Sequence, residues 1–202
     1  MAGLRVLVAM EFSGVVRDAF IEQGHDAMSC DFLPSESDKG EHYQGDVLDL
    51  LERNRWDLII AHPDCTCVCN AGNRHYGEGK EYYYDRVSSA YWIGRFWFRA
   101  RMICKKVCFE NPPGVLPKMA GLPTPNYVQP YMFGHLEQKR TGLSLHGLPP
   151  LKATDYVYYE MMKLPRCERE AAFYMAPSET RWMDRARTKT GLAEAMATQW
   201  GM

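Results

Sequence analysis

Cys65 is the residue of this sequence that is best placed for covalent chemistry. The apolar run WDLIIA (56–61) predicts a β-strand, and His62-Pro63-Asp64-Cys65 follows it directly. A thiol just beyond a strand lies where helix N-termini and nearby cations lower its pKa. Because a thiolate attacks carbon as a nucleophile, we predict that Cys65 is a catalytic nucleophile.

A carboxyl group follows a second predicted strand. The short apolar run at 107–109 (VCF) leads into Glu110-Asn111-Pro112. A carboxyl group in this place is able to protonate or hydrogen-bond a ring nitrogen. We therefore predict that Glu110 works beside Cys65.

The other polar strand ends suit a nucleotide. Phe12-Ser13-Gly14 forms a turn after the run at 4–10, Asp31 follows the run at 27–30, and Asp46 follows a third strand. Asp31 lies 17 residues after Gly14, about where an acid meets ribose hydroxyls in nucleotide-binding βαβ units. Each acid alone is more typical of a helix cap or a solvated charge. Together, in this order, they favour an adenosine-containing ligand, with Asp46 beside its exocyclic amine.

A parallel sheet must position these residues. Strand and helix signals alternate through the first half of the chain, and Gly24 closes a helix that begins near Val15. This alternation predicts an α/β fold with a mostly parallel sheet and helices on both faces. Ligands of such sheets bind beyond the carboxyl ends of the strands. We expect the polar groups at five successive strand ends, which include Glu11 and His62, to converge on one crevice.

The second half of the chain gives coarser predictions. The aromatic stretch 82–104 predicts one long helix, either a core helix with polar edges or a platform for nucleic-acid bases. Prolines and glycines predict an irregular segment at 117–150, and 191–200 predicts a closing helix. Segment 163–189 holds seven basic and four acidic side chains, an excess of three positive charges. That excess suits either a solvated loop or a surface that faces phosphates.

The composition excludes several classes of protein. The chain has 202 residues, 46% of them hydrophobic, with 24 basic and 25 acidic side chains. This balance excludes a disordered tail, a collagen-like fibre and a polycationic nucleic-acid coat, so any contact with phosphate must come from a local patch. No apolar run approaches the ~18 residues of a membrane span, and the start lacks the layout of a signal peptide. We expect one soluble domain over residues 1–202, in the cytoplasm of a bacterium or of a phage-infected host cell.

The seven cysteines predict reduced thiols rather than a disulfide framework. An alternative places zinc on Cys65, Cys67 and Cys69 with His62 and His75 nearby. Their C-x-C-x-C spacing differs from the C-x₂-C pairs of common structural zinc sites, so we predict no metal.

In this order, the motifs resemble those of the cytosine-C5 DNA methyltransferases, and most of all the small phage- and prophage-encoded branch of that superfamily. They are Phe12-Ser13-Gly14, Asp31, Gly45-Asp46, Pro63-Asp64-Cys65-Thr66, Glu110-Asn111-Pro112 and Gln138-Lys139-Arg140. The resemblance implies a Rossmann-like fold dependent on S-adenosylmethionine, with DNA as the partner molecule. It implies that Cys65 adds to C6 of cytosine, Glu110 acts at N3 and Arg140 supports O2. It also implies cofactor-binding residues (Phe12, Ser13, Gly14, Asp31, Asp46 and Pro63) and substrate-binding residues (His62, Asn111 and Gln138).

This sequence departs from the family pattern in three places. The motif F-x-G-x-G-G reads FSGVVR here, so Val16 and Arg17 replace two glycines. P-P-C-Q reads PDCT, and the acidic Asp64 tends to raise the pKa of the neighbouring thiol. Only 62 residues follow Arg140, so a target-recognition insert within 141–190 must be reduced or absent. Two alternatives stay open: the same fold acting on a free pyrimidine nucleotide, and a non-catalytic module that binds nucleic acid or a partner. The oligomeric state also stays open.

Overall fold

Five parallel strands form most of one seven-stranded sheet. The structure is a computed structural model that describes residues 3–52 and 54–202. The parallel strands are β1 (Arg5–Ala9), β2 (Asp26–Asp31), β3 (Glu41–Gln44), β4 (Leu58–Ala61) and β5 (Val107–Asn111). The sheet order is β3-β2-β1-β4-β5-β7-β6. The chain progresses outward from β1 to β3 and then returns to the other side of β1 with β4, so the switch point lies between β1 and β4.

The far edge of the sheet is antiparallel. Strand β7 (Thr141–His146) lies between β5 and β6 (Asn126–Val128) and runs antiparallel to both. The prediction of an irregular segment at 117–150 was therefore wrong. Most of its prolines and glycines lie in the connections before, between and after the two strands. Only Gly142 interrupts a strand, and β7 is held by pairing with β5 along its length.

Alternate residues of the central strands enter two separate cores. Leu7, Ile59 and Phe109 point to one face of the sheet, and Val8, Ile60 and Cys108 point to the other. All six are essentially fully buried. Because both faces are covered, these strands read as continuous apolar runs rather than as an alternation of apolar and polar residues.

Helices cover both faces, as the sequence predicts. Helix α1 (Val15–Glu22) and the closing helix α10 (Thr190–Trp200) pack together on the face that buries Val8. Helix α4 (Tyr83–Ile103) packs on the opposite face through Ile93, Phe96 and Trp97. The predicted long aromatic helix is confirmed as a core helix, and its outer face exposes further aromatic side chains (Tyr84, Tyr91 and Phe98).

Short helices complete the chain. They are α2 (Leu48–Leu51), α3 (Asn73–Tyr76), α5 (Leu116–Met119), α6 (Tyr158–Met161), α7 (Arg166–Arg169), α8 (Ala171–Tyr174) and α9 (Arg181–Ala186), with 3₁₀ turns at Asn70–Gly72 and Pro130–Met132. Among the described residues, no helix combines the length and the apolar character that crossing a membrane requires.

Candidate active site at the switch point of the sheet

Glu11 caps the helix that follows β1. Its carboxylate accepts hydrogen bonds from the backbone N–H groups of Val16 (2.6 Å) and Arg17 (3.2 Å) and from the Ser13 hydroxyl (3.3 Å). An anion at a helix N-terminus is stabilised by the helix dipole. The side chain is only 4% exposed, and burial raises its pKa above the usual value despite the opposing charge of His62 and these hydrogen bonds. A buried acid therefore lies beside the predicted cofactor turn.

Gly14 allows the turn to pass close to a buried arginine. Its φ of 73° lies in the left-handed region, and a Cβ at this position would lie 2.7 Å from the Arg17 guanidinium and 2.9 Å from Ser37. Arg17 is fully buried and pairs with Asp18 at 2.8 Å. Its guanidinium also donates to Ser29, Ser35 and the Ser37 carbonyl. Arg17, at a position where the motif resemblance would have a glycine, thus anchors the loop after β2 beneath the turn.

The C-terminal segment covers the same turn. The ring of Trp182 lies 6.1 Å from the Phe12 ring, centroid to centroid, and the Arg187 guanidinium lies 5.9 Å from the Phe12 ring. Arg187 also binds both carboxylate oxygens of Glu36, at 2.7 and 2.5 Å, and pairs with Asp184. The segment that contains α9 is therefore fastened over Phe12 by an aromatic contact and an ion-pair network.

Asp31 and Asp46 lie half-buried at the ends of β2 and β3. Each accepts a backbone N–H two residues further on, from Leu33 and Leu48 respectively, at 2.9 Å. Both also act on Cys30, whose pKa is raised to about 12 by burial and by the nearby carboxylates. The two acids thus have local capping roles and also bring negative potential to one edge of the sheet.

His62 and Glu110 form an ion pair between the ends of β4 and β5. Nδ1 of His62 lies 3.1 Å from Oε2 of Glu110, and the side chains are 11% and 16% exposed. Burial favours the neutral forms, but the hydrogen bond and the charge of His62 lower the pKa of Glu110, with help from Lys139. Burial likewise opposes charge on His62, but Glu110 and Glu11 raise its pKa.

Asn111 fastens the loop after β4 to the end of β5. Its side-chain amide donates to the Pro63 carbonyl at 2.8 Å, and the side chain is 7% exposed. Within the described part of the chain, Oδ1 of Asn111 and Nε2 of His62 are buried and make no hydrogen bond. The site therefore holds one buried acceptor and one buried ring nitrogen that are free to bind a polar group.

Cys65 and Cys69 lie in one turn directly after Pro63. The Cys69 N–H donates to the Cys65 carbonyl at 2.9 Å, which places residues four apart on the same side of the turn. Arg86, from α4, supports this loop by donating to the Cys67 carbonyl at 2.7 Å and to the Cys69 carbonyl at 3.2 Å. The candidate nucleophile thus has a defined backbone position.

The two thiols have opposite pKa shifts. A hydrogen bond to Cys69 raises the pKa of Cys65, and burial and the charges of Glu110 and Asp64 raise it further. The same hydrogen bond lowers the pKa of Cys69, together with the backbone N–H groups of Gly72 and Ala71. The expectation that helix N-termini and cations lower the thiol pKa of Cys65 was therefore wrong, because the acids lie next to Cys65 and the N–H groups next to Cys69.

The segment before β7 presents Lys139 to the site. Lys139 and Glu110 line one small cavity, and Lys139 also donates to the Arg185 carbonyl at 2.6 Å. Gln138 and Arg140 are exposed; the Arg140 guanidinium lies 3.9 Å from the centre of the Tyr127 ring. Of these three residues, the structure thus brings Lys139 to Glu110, whereas the prediction had chosen Gln138 and Arg140.

The fold has a known counterpart. A methyltransferase of Entamoeba histolytica, EhMeth, matches with a TM-score of 0.51 and 13% identity over 74% of this chain and 54% of its own. The chain has a methyltransferase fold. A candidate DNA modification methyltransferase from a prophage (E. coli) matches with a TM-score of 0.48 and 15% identity, over 70% of this chain and 46% of its own. The bifunctional kinase-methyltransferase WbdD matches with a TM-score of 0.44 and 11% identity, over 79% and 41%.

This chain spans about half or less of the length of these solved structures. No protein-family model matches the chain, and no curated protein matches it. Among residues 3–52 and 54–202, no group of three or more metal-ligating side chains is arranged to hold an ion.

Lys139 and Cys69 were not predicted to have roles in the site, and Glu11 was expected at the crevice without a role of its own. Glu11 carried a signal, since an acid two residues before Ser13-Gly14 is placed to cap the helix that the turn begins. Lys139 lies between two residues that the motif resemblance favoured, and only the strand register decides which of the three faces Glu110. Cys69 follows Cys65 by four residues. This spacing brings the two side chains together only if the loop forms a helical turn, which the sequence did not indicate.

Proposed function

We propose that this chain is a methyltransferase that uses S-adenosylmethionine to methylate C5 of cytosine in DNA, with Cys65 as the covalent nucleophile. One observation carries the proposal: the Glu110–His62 pair joins the ends of the adjacent strands β4 and β5, and Cys65 lies in the loop that follows β4. The charge of Glu110 acts on the Cys65 thiol, so the two groups share one site. A nucleophile and a group that hydrogen-bonds the same ring are the minimum that this reaction requires.

The acidic edge of the sheet fits the proposed cofactor. Glu11, Asp31 and Asp46 offer carboxylates to a ligand that carries a positive charge, ribose hydroxyls and an exocyclic amine. Phe12 and the Gly14 turn lie between these acids and the covering segment. When bound, S-adenosylmethionine supplies an electrophilic methyl group. We assign its binding to Phe12, Ser13, Gly14, Asp31, Asp46 and Pro63, with Glu11 added.

The residues of the chain would activate the base in two places. Cys65 forms a bond to C6, and the electrons of the C5–C6 double bond move toward C5 and the ring. Because the Cys65 thiol is hydrogen-bonded to Cys69, the thiol proton passes to the Cys69 sulfur as the S–C6 bond forms. Glu110 hydrogen-bonds the base at N3, and Lys139, whose charge acts on Glu110, takes the role at O2 that the motif resemblance gave to Arg140. After methylation, a water molecule takes the C5 proton, the C5–C6 double bond forms again, and the Cys65 sulfur leaves as a thiolate that recovers its proton from Cys69.

The surface after β7 supports a nucleic-acid substrate. Phe173, Tyr174 and Trp182 are 69%, 48% and 56% exposed on the short helices α8 and α9. Arginines accompany them at 166, 181 and 185. Exposed aromatic rings stack with bases and arginines bind phosphates, and a base in a duplex must flip out to reach Cys65. We propose that 147–189 acts as a reduced target-recognition segment within a single domain.

Two experiments test the proposal. Calorimetry with S-adenosylhomocysteine measures binding to the acidic edge, and no binding would favour the non-catalytic alternative. Labelled S-adenosylmethionine is then incubated in parallel with duplex DNA, single-stranded DNA and dCMP. Methylation of dCMP alone would support the free-nucleotide alternative.

A covalent adduct identifies the nucleophile. With oligonucleotides that contain 5-fluorocytosine, we expect an adduct that Cys65→Ser abolishes. Cys67→Ser is the matched control, since Cys67 lies in the same loop and is half-buried like Cys65. An adduct that survives Cys65→Ser would assign the nucleophile elsewhere.

A further inference from the structure

His62 is held rigidly between the proposed cofactor site and the proposed base site. Its backbone N–H donates to the Ala9 carbonyl at 3.0 Å, which extends the pairing of β4 with β1 by one residue. Its ring then reaches Glu110 through Nδ1, at 3.1 Å. Nε2 is buried and makes no hydrogen bond within the described residues. This placement leaves the ring little freedom except to gain or lose a proton.

The charges around His62 favour a proton on the imidazole. Glu110 faces it from β5 and Glu11 from the end of β1, and the charge of Lys139, from the segment before β7, opposes them. Two acids against one lysine raise the pKa of His62 above its usual value, although burial acts in the opposite direction. The same contact lowers the pKa of Glu110, in spite of burial. The proton of this pair therefore belongs to the imidazole.

This distribution creates a requirement for the proposed reaction. An ordinary glutamate with a pKa of about 4.3 is protonated in roughly one molecule in 500 at pH 7. Glu110 lies below that value, so it rarely carries a proton of its own. An imidazole with a pKa above about 6.5 is protonated in at least about a quarter of molecules at pH 7. Of the two groups, His62 is the one that has a proton to give.

We propose that His62 is a positioning residue that stores the proton which Glu110 delivers to N3 of the target base. The inference rests on the proposed function. The Nδ1–H bond of the imidazolium breaks and the proton joins the Glu110 carboxylate. Rotation about the Cγ–Cδ bond exchanges the two carboxyl oxygens, and the carboxyl group passes a proton to N3. Glu110 ends as a carboxylate and His62 as a neutral imidazole. When the methylated base leaves, the N3 proton returns by the same route, so the cycle needs no other acid.

The first test measures the protonation of His62 and needs no methyl transfer. Histidine titrations followed by NMR on the whole chain give the pKa of each imidazole, with His62 assigned from the signal that His62→Asn removes. We expect His62 to titrate above 6.5, and Glu110→Gln to lower that value by at least one unit. His25 is the internal control, because burial and Lys106 lower its pKa and it does not contact Glu110. A wild-type value at or below 6.5 overturns the inference even if Glu110→Gln cannot be purified.

The second test distinguishes a His62 that stores a proton from a His62 that only holds Glu110 in position by a hydrogen bond. Asparagine at position 62 keeps a hydrogen-bond donor near the position of Nδ1 but does not titrate. We expect His62→Asn to bind S-adenosylhomocysteine within about twofold of wild type and to lose 10²-fold or more in methyl transfer, as is typical for loss of acid catalysis. The wild-type rate should fall at high pH with the pKa that NMR gives for His62, and His62→Asn should lose this dependence. Full activity of His62→Asn would overturn the inference.

The two tests also distinguish this inference from the proposed function. The proposed function is contradicted, and the shared proton of His62 and Glu110 is supported, if the chain transfers no methyl group but His62 titrates above 6.5 and responds to Glu110→Gln. A chain that transfers methyl groups with a neutral His62 supports the function and contradicts the inference.

Discussion

Replacement of Gly14 by alanine tests how the turn after β1 and the buried Arg17 depend on each other. Gly14 has a φ of 73°, and an added Cβ would lie 2.7 Å from the Arg17 guanidinium. Gly24 is a matched control in the same helix–loop unit, because its φ is 83° and a Cβ there would meet nothing within 4 Å. Both substitutions cost the backbone energy of the left-handed region, but only Gly14→Ala must also displace Arg17.

The contacts of Arg17 set the size of the difference. A non-glycine residue in the left-handed region costs about 1–2 kcal/mol, which is the whole expected loss for Gly24→Ala. Displacing the guanidinium weakens at least one hydrogen bond of a buried charged group, which costs about 1.5–3 kcal/mol more. We expect Gly14→Ala to lower the free energy of unfolding by about 2.5–5 kcal/mol. For a domain of this size, the excess over Gly24→Ala is a fall in Tm of roughly 3–12 °C.

Urea unfolding of both variants, and of each combined with Arg17→Met, provides the measurement. In the Arg17→Met background the guanidinium is gone, so the excess cost of Gly14→Ala over Gly24→Ala should shrink to what the remaining contact with Ser37 at 2.9 Å imposes. Equal losses for the two glycines in the wild-type background, or an additive cycle with Arg17→Met, would refute the argument from contact.

Three further predictions follow from the site. Because hydrogen bonding from Cys65 lowers the pKa of Cys69, iodoacetamide at pH 7 should modify Cys69 before Cys65, and Cys65→Ala should slow the modification of Cys69. Mass spectrometry measures both, and it should find Cys30, with a pKa of about 12, unmodified. The lowered pKa of Glu110 stabilises the fold at neutral pH, and this stabilisation is lost as the pH falls through the pKa of Glu110 in the folded state. The raised pKa of His62 stabilises the fold fully below about pH 6.5, and this stabilisation is lost as the pH rises through the pKa of His62 in the folded state. Urea unfolding should therefore show the largest deficit of His62→Asn near pH 6 and smaller deficits at pH 3.5 and 9; a deficit independent of pH would contradict the ion pair. Since Trp182 contacts Phe12, S-adenosylhomocysteine should change the fluorescence of wild type but not of Trp182→Phe, and an equal change in both would place the ligand elsewhere.

The parallel half of the fold was open to prediction because its signals are local. Each buried strand appears in the sequence as an unbroken apolar run, since both of its faces are covered, and each run ends in polar residues. The order of the strands then brings those polar ends together without further information. Asp31, Cys65 and Glu110 were selected in this way; Asp31 and Glu110 lie in the last residues of β2 and β5, and Cys65 lies in the loop after β4.

The antiparallel edge and the finer contacts were not open to prediction. The run TGLSLH of β7 is short and contains a glycine, and it becomes a strand because β5 offers it an unpaired edge. The choice between Lys139 and Arg140 depends on that same register. The pKa order of Cys65 and Cys69 depends on which sulfur lies near backbone N–H groups and which lies near carboxylates. These are properties of the folded chain that residue type and spacing do not contain.

The pairing of Arg187 with Glu36 has a consequence for the rate at which the proposed cofactor would exchange at the Phe12 turn. The pair joins the segment after α9 to the loop after β2, and both side chains are about one-third exposed. Ions in solution screen such a contact, over a Debye length of about 8 Å at physiological ionic strength. Rising salt should therefore loosen this cover and speed both entry and departure, with little change in equilibrium affinity. Arg187 would then slow both the binding and the release of the proposed cofactor at the Phe12 turn.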